Sequence, residues 1–304
     1  MNYERLNKLR TSNIKYGKLV KKLSKMSETS MQKIFFEAVE NGDTDFMNFL
    51  LANCSNPEKL VNSHNKFGNT PLMISAFLQD YNTTKFLLEN GADPNLLDTK
   101  GIQVSLLNED KLYVIKKFWD ENLVFDGKDH IWHRCGGSTA LMMLLCQRDA
   151  NVKIAELLIS YGAQVNLKNN EGFSALMFSV EIGNVAAVKL LIKNGAKVNE
   201  QDVFGNSILL HAVSNMYTEN LVPTLIFAGA DPTIINHCGR NCYSKGIANE
   251  KGQKEIEEAI KMKQVAKLLK IAEQKDVKLL ENKGKEKEGC LDIVNDETEM
   301  RIMA

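Results

Sequence analysis

The chain has 304 residues, with 38 acidic and 38 basic side chains and therefore no formal net charge; 44% of residues are hydrophobic and 25% charged. Such a length fits one elongated domain or two compact ones of ordinary globular composition. No run of 18 apolar residues occurs, the N-terminus lacks the apolar stretch of a secretory signal, and six scattered cysteines read as reduced intracellular thiols rather than a disulfide framework.

Charge is unevenly placed. Residues 1–25 carry eight basic side chains against Glu4 alone, net +7. Leu19, Leu23 and Met26 fall roughly on one helical face among lysines. Residues 1–30 are therefore read as a basic N-terminal extension, helical or solvated. A basic arm for nucleic acid or a membrane surface, and a presequence-like targeting segment, stay open as alternatives.

From residue 31 the chain repeats itself. "FGNTPLM" (67–73), "GGSTALM" (136–142), "EGFSALM" (171–177) and "FGNSILL" (204–210) align on Gly68, Gly137, Gly172 and Gly205. Gly101 and Gly239 fall into the same series, giving spacings of 33, 36, 35, 33 and 34 residues. A second series, Gly91, Gly162, Gly195 and Gly229, stands ten residues before a member of the first each time. Thr70, Thr139, Ser174 and Ser207 are placed to cap a first helix, and Pro71 sits at a first helical position. Val185, Val188, Leu191 and Ile192 recur at the spacing of a second, amphipathic helix. The second glycine series ends that helix, and the next ten residues form a β-turn finger. One such unit cannot bury its own apolar faces, whereas stacked units bury them against each other.

The motif and its period resemble those of ankyrin repeats, which open with T-P-L-H-x-A and recur at about 33 residues. "NTPLMISAFLQDYNTTKFLLENGADPN" (69–95) and "SALMFSVEIGNVAAVKLLIKNGAKVN" (174–199) carry the resemblance, and 31–51 reads as the start of a first unit. The resemblance implies a mainly α solenoid of about six helix–turn–helix units over residues 31–262, with β-turn fingers along one edge. Two departures stand out. The motif histidine is replaced by Met73, Met142, Met177 and Leu210, and His211, one position out of register, is not expected to restore its polar network. The unit expected at 99–135 lacks both the capping threonine and the Gly-Ala turn, which marks it as the weak point of the stack.

Residues 253–280 have a helical pattern, with Ile256, Ile260, Val265, Leu268, Leu269 and Ala272 placed to cap the last unit; a helix that docks on another protein is the rival reading. Residues 263–304 are thus read as a C-terminal helix and a charged, disordered tail.

Two clusters invite a chemical reading. "HIWHRC" offers His130, His133 and Cys135; "HCGRNC" offers His237, Cys238 and Cys242. Both fall in fingers, three units apart in a regular stack, too far to share a zinc ion whose ligands all lie at about 2.0–2.3 Å. Each alone supplies three ligands, no third group orients a Cys–His pair, and no phosphate-binding loop occurs. No metal or cofactor is expected, and the chain is read as no enzyme.

By resemblance, the function is non-catalytic binding of a protein partner, as a scaffold or adaptor, through the concave face and fingers. The candidate contact residues are Phe67, Lys100, Trp132, His133, Arg134, Glu171, Phe204 and His237. Trp132 is equally well read as folding back onto the degenerate unit. The alternatives kept open are an effector-type enzyme with a hidden Cys/His site and a binder of anionic partners through residues 1–25. An intracellular, cytoplasmic location is expected, or delivery into a host cell if the source is an intracellular microbe.

Overall fold

The structure is a computed structural model, which describes residues 26–99, 136–214, 221–244, 252–265 and 267. The described residues fold into helices joined by turns. Lys168–Ser174 and Gln201–Ser207 make isolated β-bridges at the bases of two fingers. The first unit contains α1 (Glu28–Glu40) and α2 (Thr44–Ala52), followed by a short α3 (Pro57–Val61). The next described pairs are α4 (Pro71–Phe77) with α5 (Tyr81–Glu89), and α6 (Ala140–Leu145) with α7 (Val152–Ser160). Then come α8 (Ala175–Ile182) with α9 (Val185–Lys193), α10 (Ile208–Ser214) with α11 (Leu221–Ala228), and a last helix, α12, at 252–265.

Local chemistry starts these helices where the sequence pattern places them. Thr70 Oγ1 accepts from Met73 N and Thr139 Oγ1 from Met142 N, each at 3.3 Å, and Ser207 Oγ accepts from Leu210 N at 3.1 Å. Second helices are capped by carboxylates or amides instead: Asp80 accepts from Thr83 N and Asn184 from Ala187 N. Such caps satisfy N–H groups that have no partner within the helix, and each contributes about 1 kcal/mol.

The core is one continuous row. Leu72, Leu141, Leu176 and Leu209 occupy equivalent positions of four first helices and are all buried. Met73, Met142, Met177 and Leu210, which stand where the motif histidine is expected, are buried beside them. Apolar packing therefore fills that position in these four units.

The unit expected at 99–135 is not part of the row. First helix α6 packs directly on α4, and second helix α7 on α5. In the finger of the later unit, Asp202 N donates to Asn206 O and Gly205 N to Asp202 O, leaving Val203 and Phe204 as the two tip residues. Asp98 N donates to Ser138 O and Gly137 N to Asp98 O in the same pattern. Residues 99–136 thus stand where other fingers carry two residues. Because α4 meets α6 and α5 meets α7 directly, the expected weak unit is not a layer between these two pairs, and that expectation is corrected. Residues 100–135, including both halves of that expected unit, lie outside the described residues.

At the far end, Ile256 and Ala259 of α12 are buried, Ile260 packs on the core, and Lys263 Nζ donates to Ile226 O at 2.7 Å. This is the capping role read from the sequence. Val265 is the exception: it is 54% exposed, on the side away from Ile256. Leu268, Leu269 and Ala272 lie outside the described residues.

Candidate partner-binding surface

Each finger is built around one Asn or Asp. Asn65 Oδ1 accepts from Phe67 N and Asn69 N, Asn169 Oδ1 from Glu171 N and Phe173 N, and Asp202 Oδ1 from Phe204 N and Asn206 N. Asn236 does the same with Cys238 N and Arg240 N. These side chains fold the turn locally, as short acceptors do when they bond backbone two residues on. The glycine after the tip has positive φ, and in Gly205 it is also needed for space: a Cβ there would come within 2.8 Å of the His237 ring.

Adjacent fingers are joined through the backbone. Val203 N donates to Glu171 O and His237 N to Phe204 O, both at 3.0 Å. The tip side chains are therefore left without a part in holding the turn. At Phe204, 64% of the residue is exposed, with Val203 at 49%, Ile235 at 59% and Leu97 at 43%. On the described fingers this is a broken line of apolar side chains, densest at Val203, Phe204 and Ile235.

The expected contact residues divide. Phe204 and His237 are exposed at neighbouring tips, joined by the His237 N–Phe204 O bond. Glu171 is half-buried on the next finger, with its carbonyl bonded to Val203. Phe67 is half-buried, with Lys66 Nζ 4.6 Å from its ring centroid, and lies several units away from Phe204. Lys100, Trp132, His133 and Arg134 lie outside the described residues. Val203, Ile235 and Leu97 were not singled out from the sequence; the legible signal was an apolar residue at a finger position that has no structural duty.

The next equivalent position of the first helices holds Ile74, Met143, Phe178 and His211, of which the first three are buried. His211 corrects the sequence reading. Its Nε2 lies 3.0 Å from Asp202 Oδ2, its Nδ1 is paired with Glu181 Oε1, and its ring meets Phe173 edge-on at 5.2 Å. One position out of register, it does form a polar network, tying a finger to the first helices of two units. Burial alone would lower its pKa, but the hydrogen bonds and charges of Asp202 and Glu181 push it up to about 9. Burial opposes ionisation of Asp202 as well, yet its bonds to His211 and Asn206 hold it below the ordinary carboxylate range.

The thiols offer little chemistry. Burial pushes Cys146 and Cys242 each up to about 12, so both are neutral thiols at pH 7 and poor nucleophiles. Cys238 is exposed while Cys242, four residues on, is buried, and among the described residues no group of three His, Cys, Asp or Glu side chains gathers as a metal site. His130, His133 and Cys135 lie outside the described residues. No helix among the described residues is long and apolar enough to cross a membrane.

A family model described as ankyrin repeats (3 copies) matches residues 11–98, 121–202 and 141–236. The chain belongs to the ankyrin-repeat family. It is 32% identical over 154 residues to an ankyrin repeat protein of Acanthamoeba polyphaga mimivirus, a match covering 49% of this chain and 22% of that protein. It is 38% identical over 81 residues to the Notch-regulated ankyrin repeat-containing protein of Xenopus laevis, covering 26% of this chain and 71% of the relative. The human protein of that name is 38% identical over 79 residues, covering 26% and 69%. The chain thus spans about a fifth of the length of the mimivirus relative. Ankyrin repeats are generally protein–protein interaction modules and typically non-enzymatic.

Proposed function

We propose that this chain is a non-catalytic scaffold or adaptor that binds a protein partner through its finger edge, with the concave face contributing. The observation that carries the reading is the exposure of Phe204, Val203 and Ile235. Their backbone groups hold the fingers together while their side chains face solvent. Clustered apolar and aromatic anchors on a rigid support are what protein interfaces use as hot spots. His237 and Glu171 flank this patch, and Phe67, half-buried several units away, is proposed as a separate contact on the same edge. Lys100, Trp132, His133 and Arg134 belong to the segment that leaves the same edge between Thr99 and Gly136, and they are proposed as its contacts.

An intracellular, cytoplasmic location goes with this reading, supported by the free thiols Cys54, Cys146, Cys238 and Cys242. The test compares the immobilised chain with its Phe204→Ala/Ile235→Ala variant as bait. A protein retained by the parent and lost by a variant of unchanged melting temperature supports the finger edge. Retention of every parent-bound protein by the variant would contradict it.

A further inference from the structure

We propose that His211 is the positioning residue of the Phe204 finger: its charged ring, anchored on Glu181, supplies the counter-charge for the buried carboxylate around which that turn is wound. The proposal deepens the finger-edge reading, on which its bearing on a partner rests; the setting of the finger itself does not depend on that reading.

Four fingers are described from end to end. Three are wound on a neutral amide, with Asn65, Asn169 and Asn236 each accepting from backbone N–H groups two and four residues on. The fourth is wound on Asp202, whose Oδ1 accepts from Phe204 N and Asn206 N at 2.8 Å each. An amide needs no counter-ion, but the Asp202 side chain is 1% exposed, and a carboxylate taken out of water is costly unless it is paired. Its Oδ2 accepts from Asn206 Nδ2 and lies 3.0 Å from His211 Nε2.

The ring is built to be charged. Nε2 faces Asp202 and Nδ1 faces Glu181, so each nitrogen meets a carboxylate oxygen. Neutral imidazole has one N–H, and only the doubly protonated ring donates to both. Phe173 holds the ring edge-on at 5.2 Å. The surroundings offer Asp202 little else: of the helices packed on α10, α8 has Glu181 as its one ionisable side chain and α11 has none. On the fingers beside it stand Glu171, Glu200, His237 and Arg240, the last two exposed, while Lys168 Nζ is taken by Gln201 O and Glu200.

The finger set in this way carries Val203 and Phe204, and its backbone bonds to Glu171 O and His237 N hold them in line with the neighbouring tips. His211 thus acts on the apolar patch through Asp202, without itself standing at the tip.

Amide exchange with water, measured residue by residue by NMR on the full chain at pH 7, tests the assignment. In His211→Gln, exchange at Phe204 N and Asn206 N should rise at least about tenfold. Exchange at Glu171 N and Phe173 N, on the amide-wound finger, should stay within about threefold of the parent, as should α6 and α7 as the control for a folded stack. Adding Asp202→Asn to His211→Gln should return Phe204 N and Asn206 N to within about threefold of the parent, because an amide needs no counter-charge; Asp202→Asn alone should be as quiet. Unchanged exchange in His211→Gln would overturn the proposal. So would exchange that stays raised in the double variant, which would make His211 a packing residue, or a finger loosened by Asp202→Asn alone. These rates are read without a partner, so a finger edge that proves not to bind protein leaves them as expected.

Discussion

Asn95 and Gly162 are 67 residues apart in sequence and yet are neighbours of consecutive units: Asn95 Nδ2 donates to Gly162 O at 3.0 Å. Its Oδ1 accepts from Gln164 N at 2.8 Å. Asn62 makes the same pair of bonds to Gly91 and Asp93, Asn166 to Gly195 and Lys197, and Asn199 to Gly229 and Asp231. The ladder advances one unit per rung, and the rung from Asn95 passes over residues 99–136 as though they were absent from the stack.

If that rung is equivalent to the others, Asn95→Ala and Asn166→Ala destabilise alike. Each loses two hydrogen bonds and leaves a backbone carbonyl without its partner, which costs about 1–2 kcal/mol. Urea unfolding of both variants checks this. A silent Asn95→Ala beside a costly Asn166→Ala would mean the ladder is broken at the insertion.

Gln79 is a non-glycine residue at φ 55°, in the turn between α4 and α5. Its Oε1 accepts from Asn151 N at 2.9 Å and its Nε2 donates to Gln147 Oε1 at 3.2 Å, so the side chain braces the following unit while the backbone is strained. Gln79→Gly removes the bonds but relieves the strain; Gln79→Ala removes the bonds and keeps it. Alanine is therefore expected to be less stable than glycine by about 1 kcal/mol, the reverse of their order in a helix. Thermal unfolding of the two variants decides.

His211 predicts an alkaline limb in stability. Its folded pKa, about 9, lies above the ordinary value of 6.5, so its contribution is complete below pH 6.5 and is lost as pH rises from 6.5 through about 9. The full effect is on the order of 3 kcal/mol. Asp202 has the opposite sign: its pKa is lowered, so its contribution is present above pH 3.8 and is lost as the solution is acidified. Denaturant unfolding from pH 5 to 10 should show the loss, and His211→Gln should flatten it. A parent profile already flat between pH 6.5 and 9 would contradict the network.

Phe204→Ala removes an exposed ring that holds nothing in place. Its stability should stay within about 0.5 kcal/mol of the parent, as for surface substitutions that break no buried contact. Leu209→Ala, in the buried row, should cost about 2–5 kcal/mol. Chemical unfolding of both checks the contrast; a Phe204 variant as damaged as the Leu209 variant would place the ring in the core.

Most of the stack was legible because its signals are local. Thr70 with Pro71, and Ser174 ten residues before Asn184, announce a helix start and the turn after it, and Gly91 or Gly195 announces its end. Residues 99–136 were misread because register cannot be seen in one sequence. The insertion adds 36 residues to the 33 from Gly172 to Gly205, so Gly68 to Gly137 spans just over two periods and Gly101 falls into step by coincidence. Whether α4 meets α6 is settled only by tertiary contacts. His211 was missed for a related reason: its partners, Glu181 and Asp202, lie thirty and nine residues away, and motif position says nothing of either. On the finger edge, Phe204 was legible as an aromatic at a tip. Ile235 was not, because its exposure depends on how neighbouring fingers meet: Gln201 Nε2 bonds its carbonyl while most of the residue stays exposed.

The most direct test of an unbroken stack is to replace Thr99–Gly136 by Asn-Glu, the tip pair found at 170–171, and to measure native-state amide exchange in α4 and α6. Protection in both helices should stay within about tenfold of the parent, because α6 rests on α4 without help from the excised residues. A loss of more than roughly 100-fold in α4 and α6, with α8 and α9 unaffected, would show that residues 99–136 form a layer between them after all.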